Sequence, residues 1–184
     1  YKRQNDGYLV GYIRLKQFNA KASNEMRRAI NDLKVQGVDG FILDLRGNPG
    51  GLLNQATQVA DLFLPEGAPI VSIRQRDGQY ENVKRSKSAL ATANLPLVVL
   101  INESSASASE IVAGAIQDND SGIILGTTSF GKGSVQTIFE IDKEIDSALK
   151  LTTALYYTPS GRSIHRILSG FDRSLDYITV GAHK

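Results

Sequence analysis

The segment from residue 97 to residue 136 restricts the fold more than any other part of this chain. It opens with Leu-Val-Val-Leu-Ile at 97–101, a short, branched and uncharged run that predicts a buried strand. Serine and alanine fill 104–109, and from Ile111 onward apolar residues recur at the spacing of one helix face. Small hydroxyl side chains therefore lie where a strand ends and a helix begins. The free N–H groups and the positive dipole end of such a helix favour negative charge.

A lysine between two glycines lies near the end of this segment. A second strand-like run, Gly-Ile-Ile-Leu-Gly at 122–126, precedes Phe-Gly-Lys-Gly-Ser-Val-Gln at 130–136. The glycines at 131 and 133 let the backbone pack closely around Lys132. Two interpretations are open at this point: Lys132 caps a turn at the surface, or it is a functional lysine in a desolvated setting.

The remaining pattern predicts one α/β domain over residues 1–184. Strands are expected at 8–15, 38–45 and 69–74, with one helix that begins at Ser23 and stops at Gly37, and a second helix at 53–63. Residues 74–94 form a polar loop in this interpretation, and strands at 136–140 and 148–157 flank the acidic loop 142–146. We therefore expect a layered fold: a mostly parallel sheet, flanking helices and a late antiparallel hairpin.

Composition excludes several classes of function. The net charge of +2 is too small to indicate a nucleic-acid or acidic-membrane partner. No run of about 18 apolar residues is present, so no membrane-spanning helix is predicted. The chain lacks cysteine, and neither His165 nor His183 has a second ligand at metal-binding spacing. We therefore expect no metal site and no cofactor.

Serine and lysine together are the best candidates for catalytic chemistry. A Ser-His-carboxylate triad is disfavoured because His165 lies beyond the last predicted strand and no Gly-x-Ser-x-Gly elbow occurs. Lysine acts as a general base only when it is neutral, and desolvation favours the neutral form. The apolar neighbours Phe130 and Val135 predict that setting for Lys132.

Four sequence blocks, taken in order, resemble the catalytic core of the C-terminal processing peptidases, also called tail-specific proteases. The blocks are Asp-Leu-Arg-Gly-Asn-Pro-Gly-Gly at 44–51, Ser-Ala-Ser-Ala-Ser-Glu-Ile at 105–111, Phe-Gly-Lys-Gly-Ser-Val-Gln at 130–136 and Leu-Thr-Thr-Ala-Leu-Tyr-Tyr-Thr-Pro-Ser-Gly at 151–161. The resemblance covers residues 11 to 165 and implies a crotonase/ClpP-like core.

The resemblance also implies roles for individual residues. Ser107 corresponds to the family's nucleophile, Lys132 to its general base and Gln136 to the residue that orients the lysine. An amide can hold a neutral amine without adding a charge that would favour protonation. Because Ser107 lies at a strand–helix junction, the N–H of Ala108 should be free to bind an oxyanion. The second oxyanion donor should come from Gly50 or Gly51, and the side chains of Ser104, Ser105 and Ser109 are expected to satisfy free N–H groups at the helix entry.

The function that this resemblance implies is serine endopeptidase activity near the C-terminus of protein substrates, through an acyl-enzyme. The alternatives are an idle or regulated family member that binds extended tails, an acyl-CoA enzyme of the crotonase type, and a plain interaction module. The intact Ser107, Lys132 and Gln136 count against all three. The expected partners are proteins or peptides with accessible C-terminal tails, and a regulatory or adaptor protein and oligomerisation are left open. The expected location is the bacterial periplasm or cell envelope, ahead of the thylakoid lumen.

The chain departs from the family pattern at both ends. Family members usually carry a PDZ domain before the catalytic core, and the ten residues ahead of Gly11 are too few to hold one. After His165 the family normally continues with a Gly-Ile-x-Pro-Asp segment, whereas this chain has Arg-Ile-Leu-Ser-Gly-Phe at 166–171. We therefore expect an isolated catalytic core with an atypical tail at 166–184.

Overall fold

The computed structural model describes residues 2–5, 7–75, 81–88, 91–92, 95–142 and 147–166. The acidic-loop residues 143–146 and the tail after residue 166 lie outside the described residues. In chain order the elements are β1 (Lys2–Asn5), β2 (Tyr8–Arg14), α1 (Ala22–Val35), β3 (Gly40–Asp44), α2 (Leu53–Asp61), β4 (Pro69–Gln75), β5 (Glu81–Arg85), β6 (Leu97–Ile101), α3 (Ala108–Asp118), β7 (Ile123–Gly126), β8 (Ser134–Asp142) and β9 (Ser147–Tyr157).

The first sheet has five strands in the order β1-β2-β3-β6-β7. Four of them, β2, β3, β6 and β7, run parallel, with Leu43 opposite Val99 and Val99 opposite Ile124. β1 is antiparallel to β2. The branched apolar residues of β3 and β6 suit strands that are covered on both faces. The predicted layered α/β fold with a mostly parallel sheet is confirmed.

The second sheet is antiparallel, in the order β5-β4-β9-β8. Its β8–β9 pair is the late hairpin that the sequence predicts. Two strands were not predicted: β1 lies ahead of the first predicted strand, and β5 falls within the segment 74–94 that we interpreted as a polar loop. β5 has the sequence Glu-Asn-Val-Lys-Arg, which lacks apolar alternation. As an edge strand with one neighbour, it needs fewer apolar side chains than a central strand.

Helix α1 begins two residues earlier than the sequence predicts. Its N-cap is Lys21, and Ser23 lies inside the first turn. The prediction that Ser23 caps this helix is therefore wrong. Ser23 instead joins α1 to α2: its N–H donates to Gln55 Oε1 at 2.9 Å and its hydroxyl donates to Gln58 Oε1 at 2.8 Å. A hydroxyl with a tertiary partner is no longer available to cap its own helix.

Helix α3 lies at the centre of the fold, where it packs against α2, β4 and β7. Every residue from Ala108 to Ile116 is buried. A helix that is buried on all sides must carry small and apolar residues around its whole circumference, as α3 does with its alanines, Gly114 and branched residues. This position fixes the N-terminus of α3 rigidly between the two sheets. The largest side chains of the surrounding core are Phe18, Ile30, Leu43, Leu45, Leu62, Phe63, Leu64, Ile70, Ile101, Ile111 and Ile116.

Candidate active site

Three loops follow three adjacent parallel strands and meet at one edge of the first sheet. The glycine loop (residues 45–51) follows β3, the serine turn (102–107) follows β6, and the lysine loop (127–133) follows β7. The carboxyl ends of parallel strands lie at the same edge of a sheet, which is where α/β proteins place their ligand sites. The sheet order therefore brings three segments together that are far apart in sequence.

Hydrogen bonds join the glycine loop to the serine turn. The Ser105 hydroxyl donates to Leu45 O at 2.8 Å, and the Ser109 hydroxyl donates to Asn48 O at 2.9 Å. The N–H of Ala106 donates to the same Asn48 carbonyl at 3.0 Å. The prediction that these serines satisfy free N–H groups at the helix entry is confirmed for Ser105, whose hydroxyl oxygen also accepts the N–H of Asn102 at 3.0 Å. It is wrong for Ser109, whose hydroxyl acts as a donor to a carbonyl of the glycine loop.

Ser107 has an unusual backbone conformation. Its φ is 55° and its ψ is −110°, and it directly precedes α3. In the described residues the only other non-glycine residue with positive φ is Asp120. Such a conformation costs about 1–3 kcal/mol and is retained where the surroundings enforce it, often at a functional site. The sharp bend at Ser107 fits a nucleophile that is raised above a strand–helix junction.

Two backbone N–H groups beside Ser107 are available to a ligand. Ala108 is the first residue of α3, and no described group accepts a hydrogen bond from its N–H. Gly51 forms a parallel bridge with Phe18 in which the bonded groups are Gly50 O and Leu52 N, so the N–H of Gly51 points away from Phe18. Among the described residues that N–H also has no acceptor.

Gly50 differs from Gly51 because its N–H is already in use. It donates to Asn48 Oδ1 at 2.9 Å. Of the two glycines that the sequence left open as the second oxyanion donor, the geometry therefore favours Gly51. Gly50 has a steric role instead: a Cβ placed there would lie 2.9 Å from both Ala108 N and Ser107 Cβ, and 2.7 Å from Ala106 O. Only glycine lets the loop approach the serine turn this closely.

The carboxylate of Glu110 joins the serine turn to the lysine loop. Its Oε2 accepts hydrogen bonds from Ser107 N at 2.7 Å and Lys132 N at 2.9 Å. Its Oε1 accepts from the Ser129 hydroxyl at 2.7 Å and Gly131 N at 2.6 Å. Glu110 is only 2% exposed. Burial raises the pKa of this carboxyl group, and the four hydrogen bonds offset part of that rise.

Sequence reasoning assigned no role to Glu110, although a signal was present. Ser-x-x-Glu at 107–110 is the capping-box pattern, in which the glutamate accepts a hydrogen bond from the N–H of the first residue. That half of the capping box is formed here. The contacts to Ser129, Gly131 and Lys132 could not be predicted in this way, because they depend on the tertiary fold.

Lys132 lies at an open cavity of about 590 Å³, which is also lined by Phe130, His165 and Arg166. The residue is exposed, and no described group bonds to its side-chain amine. The expectation that Lys132 is desolvated is therefore wrong for this conformation. The physical reason is that the apolar neighbours do not enclose it: the side chain of Phe130 is itself 59% exposed.

Among the described residues, no hydrogen bond joins Gln136 to Lys132. Gln136 is an exposed residue of β8 and lies opposite Thr152 of β9, beside an irregularity in the strand register. Four residues of extended chain span about 13 Å. Lys132 and Gln136 can therefore meet only if both side chains turn toward each other, and no hydrogen bond joins them within the described part of the chain.

His165 lines the same cavity as Lys132, although it lies beyond the last strand in the sequence. Ile164 N donates to Tyr156 O at 3.1 Å, and Arg166 N donates to Gly131 O at 2.9 Å, so the segment after the last strand folds back along the lysine loop. A Cβ at Gly133 would lie 2.2 Å from the backbone nitrogen of His165. This contact explains why glycine follows Lys132. The ring atom Nδ1 of His165 is buried and has no hydrogen-bond partner among the residues that the structure describes.

A charged cluster supports the start of the glycine loop. Asp44 is 1% exposed and accepts hydrogen bonds from the Tyr12 hydroxyl and from Arg46 Nε and Nη2, the latter two at 2.9 and 2.8 Å. Burial of the Asp44 carboxyl group opposes its ionisation, but these hydrogen bonds outweigh burial and lower its pKa to about 2. The cluster fixes the chain where β3 enters the loop.

The described residues contain neither a metal-binding cluster nor a membrane-spanning helix. Among the described residues, no group of histidine, aspartate and glutamate side chains is arranged to hold a metal ion. Within the same residues, none of the helices has the length and apolar character required to cross a bilayer.

These features define a candidate site of the serine-hydrolase class: a serine in a strained turn at a helix N-terminus, two unoccupied N–H groups and a nearby lysine loop. The sequence model described as peptidase family S41 matches residues 9–172. The chain belongs to this family.

Curated relatives include a carboxy-terminal-processing protease of Bartonella bacilliformis, 51% identical over 164 residues, which covers 86% of this chain and 37% of the relative. Another is a carboxyl-terminal-processing protease of Synechocystis, 44% identical over 161 residues, covering 88% of this chain and 36% of the relative. Among solved structures, the photosystem II D1 C-terminal processing protease matches with a TM-score of 0.78 and 37% identity, covering 85% of this chain and 40% of that one. The chain thus spans little more than a third of the length of these curated relatives.

Proposed function

We propose that this chain is the catalytic core of a serine endopeptidase that cleaves protein substrates near their C-terminus, with Ser107 as nucleophile and Lys132 as general base. The observation that carries this proposal is the carboxylate of Glu110, which accepts hydrogen bonds from the N–H groups of both residues. A single buried atom thereby holds the two catalytic segments side by side. Family membership supports the reaction class, and the free N–H groups of Ala108 and Gly51 supply what acyl transfer requires.

The proposed reaction has two halves. In the first, Ser107 Oγ forms a bond to the carbonyl carbon of the scissile peptide while its proton passes to the neutral amine of Lys132. The N–H groups of Ala108 and Gly51 stabilise the resulting oxyanion. The carbon–nitrogen bond then breaks, and Lys132 returns the proton to the leaving amine. In the second half, water gives a proton to Lys132 and attacks the acyl carbon. The bond between that carbon and Ser107 Oγ then breaks, Lys132 returns the proton to Oγ, and the acid product leaves.

Because Lys132 is exposed, substrate binding must exclude water from its amine before it can act as a base. Water around an amine favours its charged form, which cannot accept a proton. A peptide bound across the cavity of Lys132, Phe130 and His165 would exclude that water and favour the neutral form. Gln136 would reach Lys132 in that closed arrangement, where its amide can hold the amine without adding charge.

A second candidate function follows from the same exposure. An idle or regulated family member that binds extended tails would also have intact Ser107 and Lys132, but would hold them apart. The lack of a hydrogen bond between Gln136 and Lys132 in the described residues favours this candidate. The two functions differ in a single result, which is whether the protein hydrolyses a peptide bond.

The deciding experiment is incubation of the protein with an unstructured substrate that ends in small apolar residues, followed by intact-mass analysis. We expect cleavage by the parent protein and none by Ser107→Ala or Lys132→Ala, each of which should stay folded. Lys132→Arg should also fail, because arginine remains charged. The double variant should be no slower than either single variant, because the two residues act as a unit. Cleavage by Ser107→Ala would reject the proposal, and binding without cleavage by the parent would favour the second function.

Substrates with accessible C-terminal tails and a location in the bacterial periplasm or cell envelope complete the proposal. Both rest on the family, whose relatives are named for carboxyl-terminal processing. The contribution of a regulatory or adaptor protein and the oligomeric state belong to the whole protein, and mass measurement of the native assembly would test them.

A further inference from the structure

We propose that Asn48 is a positioning residue for the oxyanion site, one that holds the N–H of Gly51 at a fixed distance from the N–H of Ala108. This inference rests on the proposed function, because it assigns a task within the same reaction. Asn48 lies in the glycine loop and is 0% exposed. Among the described residues it makes no hydrogen bond to the proposed nucleophile, so its effect on the reaction is indirect.

Asn48 makes five hydrogen bonds. Its own N–H donates to Leu45 O at 3.1 Å within the glycine loop, and the other four reach three different segments. Its side-chain Nδ2 donates to Leu15 O at 2.8 Å, just after β2. Its Oδ1 accepts from Gly50 N at 2.9 Å, within the glycine loop. Its backbone carbonyl accepts from Ala106 N at 3.0 Å and from the Ser109 hydroxyl at 2.9 Å, in the serine turn and α3. The residue therefore lies at the junction of β2, the glycine loop and the nucleophile's own turn.

The side-chain amide has two consequences for the oxyanion donors. By accepting the Gly50 N–H, it occupies that group and leaves the N–H of Gly51, which has no acceptor among the described residues, as the available donor. By donating to Leu15, it fixes the loop to the sheet, so that the Gly51 N–H cannot drift from Ala108. This pair of tasks requires one donor and one acceptor on a short side chain, which asparagine supplies and aspartate does not.

The backbone carbonyl of Asn48 fixes the position of the second donor, the N–H of Ala108. Ala106 and Ser109 lie on either side of Ser107 and Ala108 in the sequence, and both donate to this oxygen. Gly50 meanwhile approaches the serine turn so closely that a Cβ would lie 2.9 Å from Ala108 N. Asn48 therefore holds both the glycine loop, which carries the Gly51 donor, and the start of α3, which carries the Ala108 donor.

The test is Asn48→Ala, measured with a fluorogenic peptide that ends in two alanines. Loss of one oxyanion donor costs about 10²–10³ in kcat. In Asn48→Ala the N–H of Gly51 is no longer held in place, so we expect kcat to fall by about 10- to 100-fold, with KM within about threefold of the parent. A peptide aldehyde provides a second readout. The Ser107 hydroxyl adds across its carbonyl, which places the adduct oxygen at the oxyanion position, so its Ki should rise by a factor similar to the loss in kcat.

Asn119→Ala is the matched control. Asn119 is also an asparagine that donates to two backbone carbonyls, Pro69 O at 2.9 Å and Ala115 O at 2.8 Å, but it lies at the opposite end of α3. Its loss should lower thermal stability without changing kcat for the folded fraction. If Asn48→Ala behaves like this control, with kcat and aldehyde Ki at parental values in the folded fraction, Asn48 is only structural and the proposal is wrong.

A milder variant covers the case in which Asn48→Ala does not fold. Ser109→Ala removes only the hydroxyl that donates to Asn48 O and leaves the Ala106 N–H in place. We expect kcat to fall by about 3- to 10-fold, with KM and the folded fraction nearly unchanged, and an unchanged kcat would overturn the proposal. Ser107→Ala, tested in parallel, separates the two hypotheses: if that variant is active, the proposed function fails, whatever the result at Asn48.

Discussion

The Glu110 side chain and the backbone nitrogen of Lys132 are 2.9 Å apart, although 22 positions separate the two residues in the sequence. The same carboxylate oxygen also accepts the N–H of Ser107. The contact involves the backbone of Lys132, so its amine is left free to move while its position in the chain is fixed. Such an arrangement suits a lysine that must change its surroundings when a substrate binds.

Glu110→Gln should lower activity strongly, although it changes one atom of the side chain. The carboxylate accepts four hydrogen bonds, and the amide that replaces it offers one oxygen and one NH₂ donor. The NH₂ group must face at least one N–H of Ser107, Gly131 or Lys132. We expect destabilisation of about 1–3 kcal/mol and a fall in kcat of at least tenfold. Urea unfolding and steady-state kinetics at pH 7 would measure both.

The control for this variant is Glu25→Gln in the exposed first turn of α1, which should leave both quantities nearly unchanged. The pH dependence supplies a second check. Because the pKa of Glu110 is raised in the folded protein, protonation favours folding, and stability falls as the pH rises from the ordinary value of 4.5 through the raised value. Activity should rise with pH over the same range, because a protonated carboxyl group accepts fewer hydrogen bonds from the N–H groups of the site. Equal kcat values for the parent and Glu110→Gln would show that this contact does not position the site.

The sequence indicated the segments of the candidate site but not the hydrogen bonds that join them. Ser107 and Lys132 lie in loops that follow β6 and β7, and the apolar runs of both strands are visible in the sequence. Because these strands are adjacent and parallel, their loops lie at the same edge of the sheet. The choice between Gly50 and Gly51 required the hydrogen bond to Asn48, which depends on how the loop folds back on itself. The solvent exposure of Lys132 could not be inferred either, because apolar neighbours in sequence do not have to enclose a side chain in space.

Gly50→Ala should impair catalysis far more than Gly47→Ala in the same loop. Both glycines have positive φ, 100° and 72°, so both variants incur backbone strain. A Cβ at Gly47 meets nothing within 4 Å, whereas one at Gly50 lies 2.7 Å from Ala106 O and 2.9 Å from Ala108 N. The comparison therefore isolates the collision with the serine turn. We expect a loss in kcat of about 10²-fold for Gly50→Ala, comparable to the loss of an oxyanion donor, and less than threefold for Gly47→Ala. Similar kinetics for the two variants would contradict the close approach.

The parallel sheet was easier to predict than the antiparallel one for a physical reason. β3 and β6 are central strands whose five residues are almost all apolar, so their burial is visible in the sequence. β5 is polar and lies at a sheet edge, and its pairing with β4 is a tertiary interaction without a local signal. The start of α1 was misplaced for a related reason, because the hydroxyl of Ser23 is bound by Gln58 of a different helix.

Asp44→Asn should remove stability that depends on pH. The pKa of Asp44 is lowered from 3.8 to about 2, so its ionised form stabilises the fold above pH 3.8 and this contribution is lost as the pH falls through 2. One pKa unit corresponds to 1.36 kcal/mol, but the Arg46 side chain is 50% exposed and solvent weakens the pair. We expect the free energy of unfolding of Asp44→Asn to be lower than that of the parent by about 1–2 kcal/mol at pH 7. This difference should become smaller between pH 4 and pH 2. Arg46→Gln should reproduce most of the effect, and the double variant should add little. If the difference in the free energy of unfolding stayed constant across that pH range, the ionisation of Asp44 would not contribute to stability.

Lys132 should be open to chemical modification in the free protein and protected when the site is filled. Its side chain lines an open cavity, so limited acetylation with an N-hydroxysuccinimide ester should modify it to an extent similar to the exposed Lys21. A peptide aldehyde that forms an adduct with Ser107 would lie across the cavity and cover the amine. Peptide mapping by mass spectrometry should then show at least tenfold slower acetylation of Lys132, with no change at Lys21, and loss of activity should follow modification at Lys132 alone. Equal acetylation of Lys132 with and without the aldehyde would mean that the bound substrate does not cover the lysine. In that case the proposed exclusion of water could not be the means by which Lys132 becomes a base.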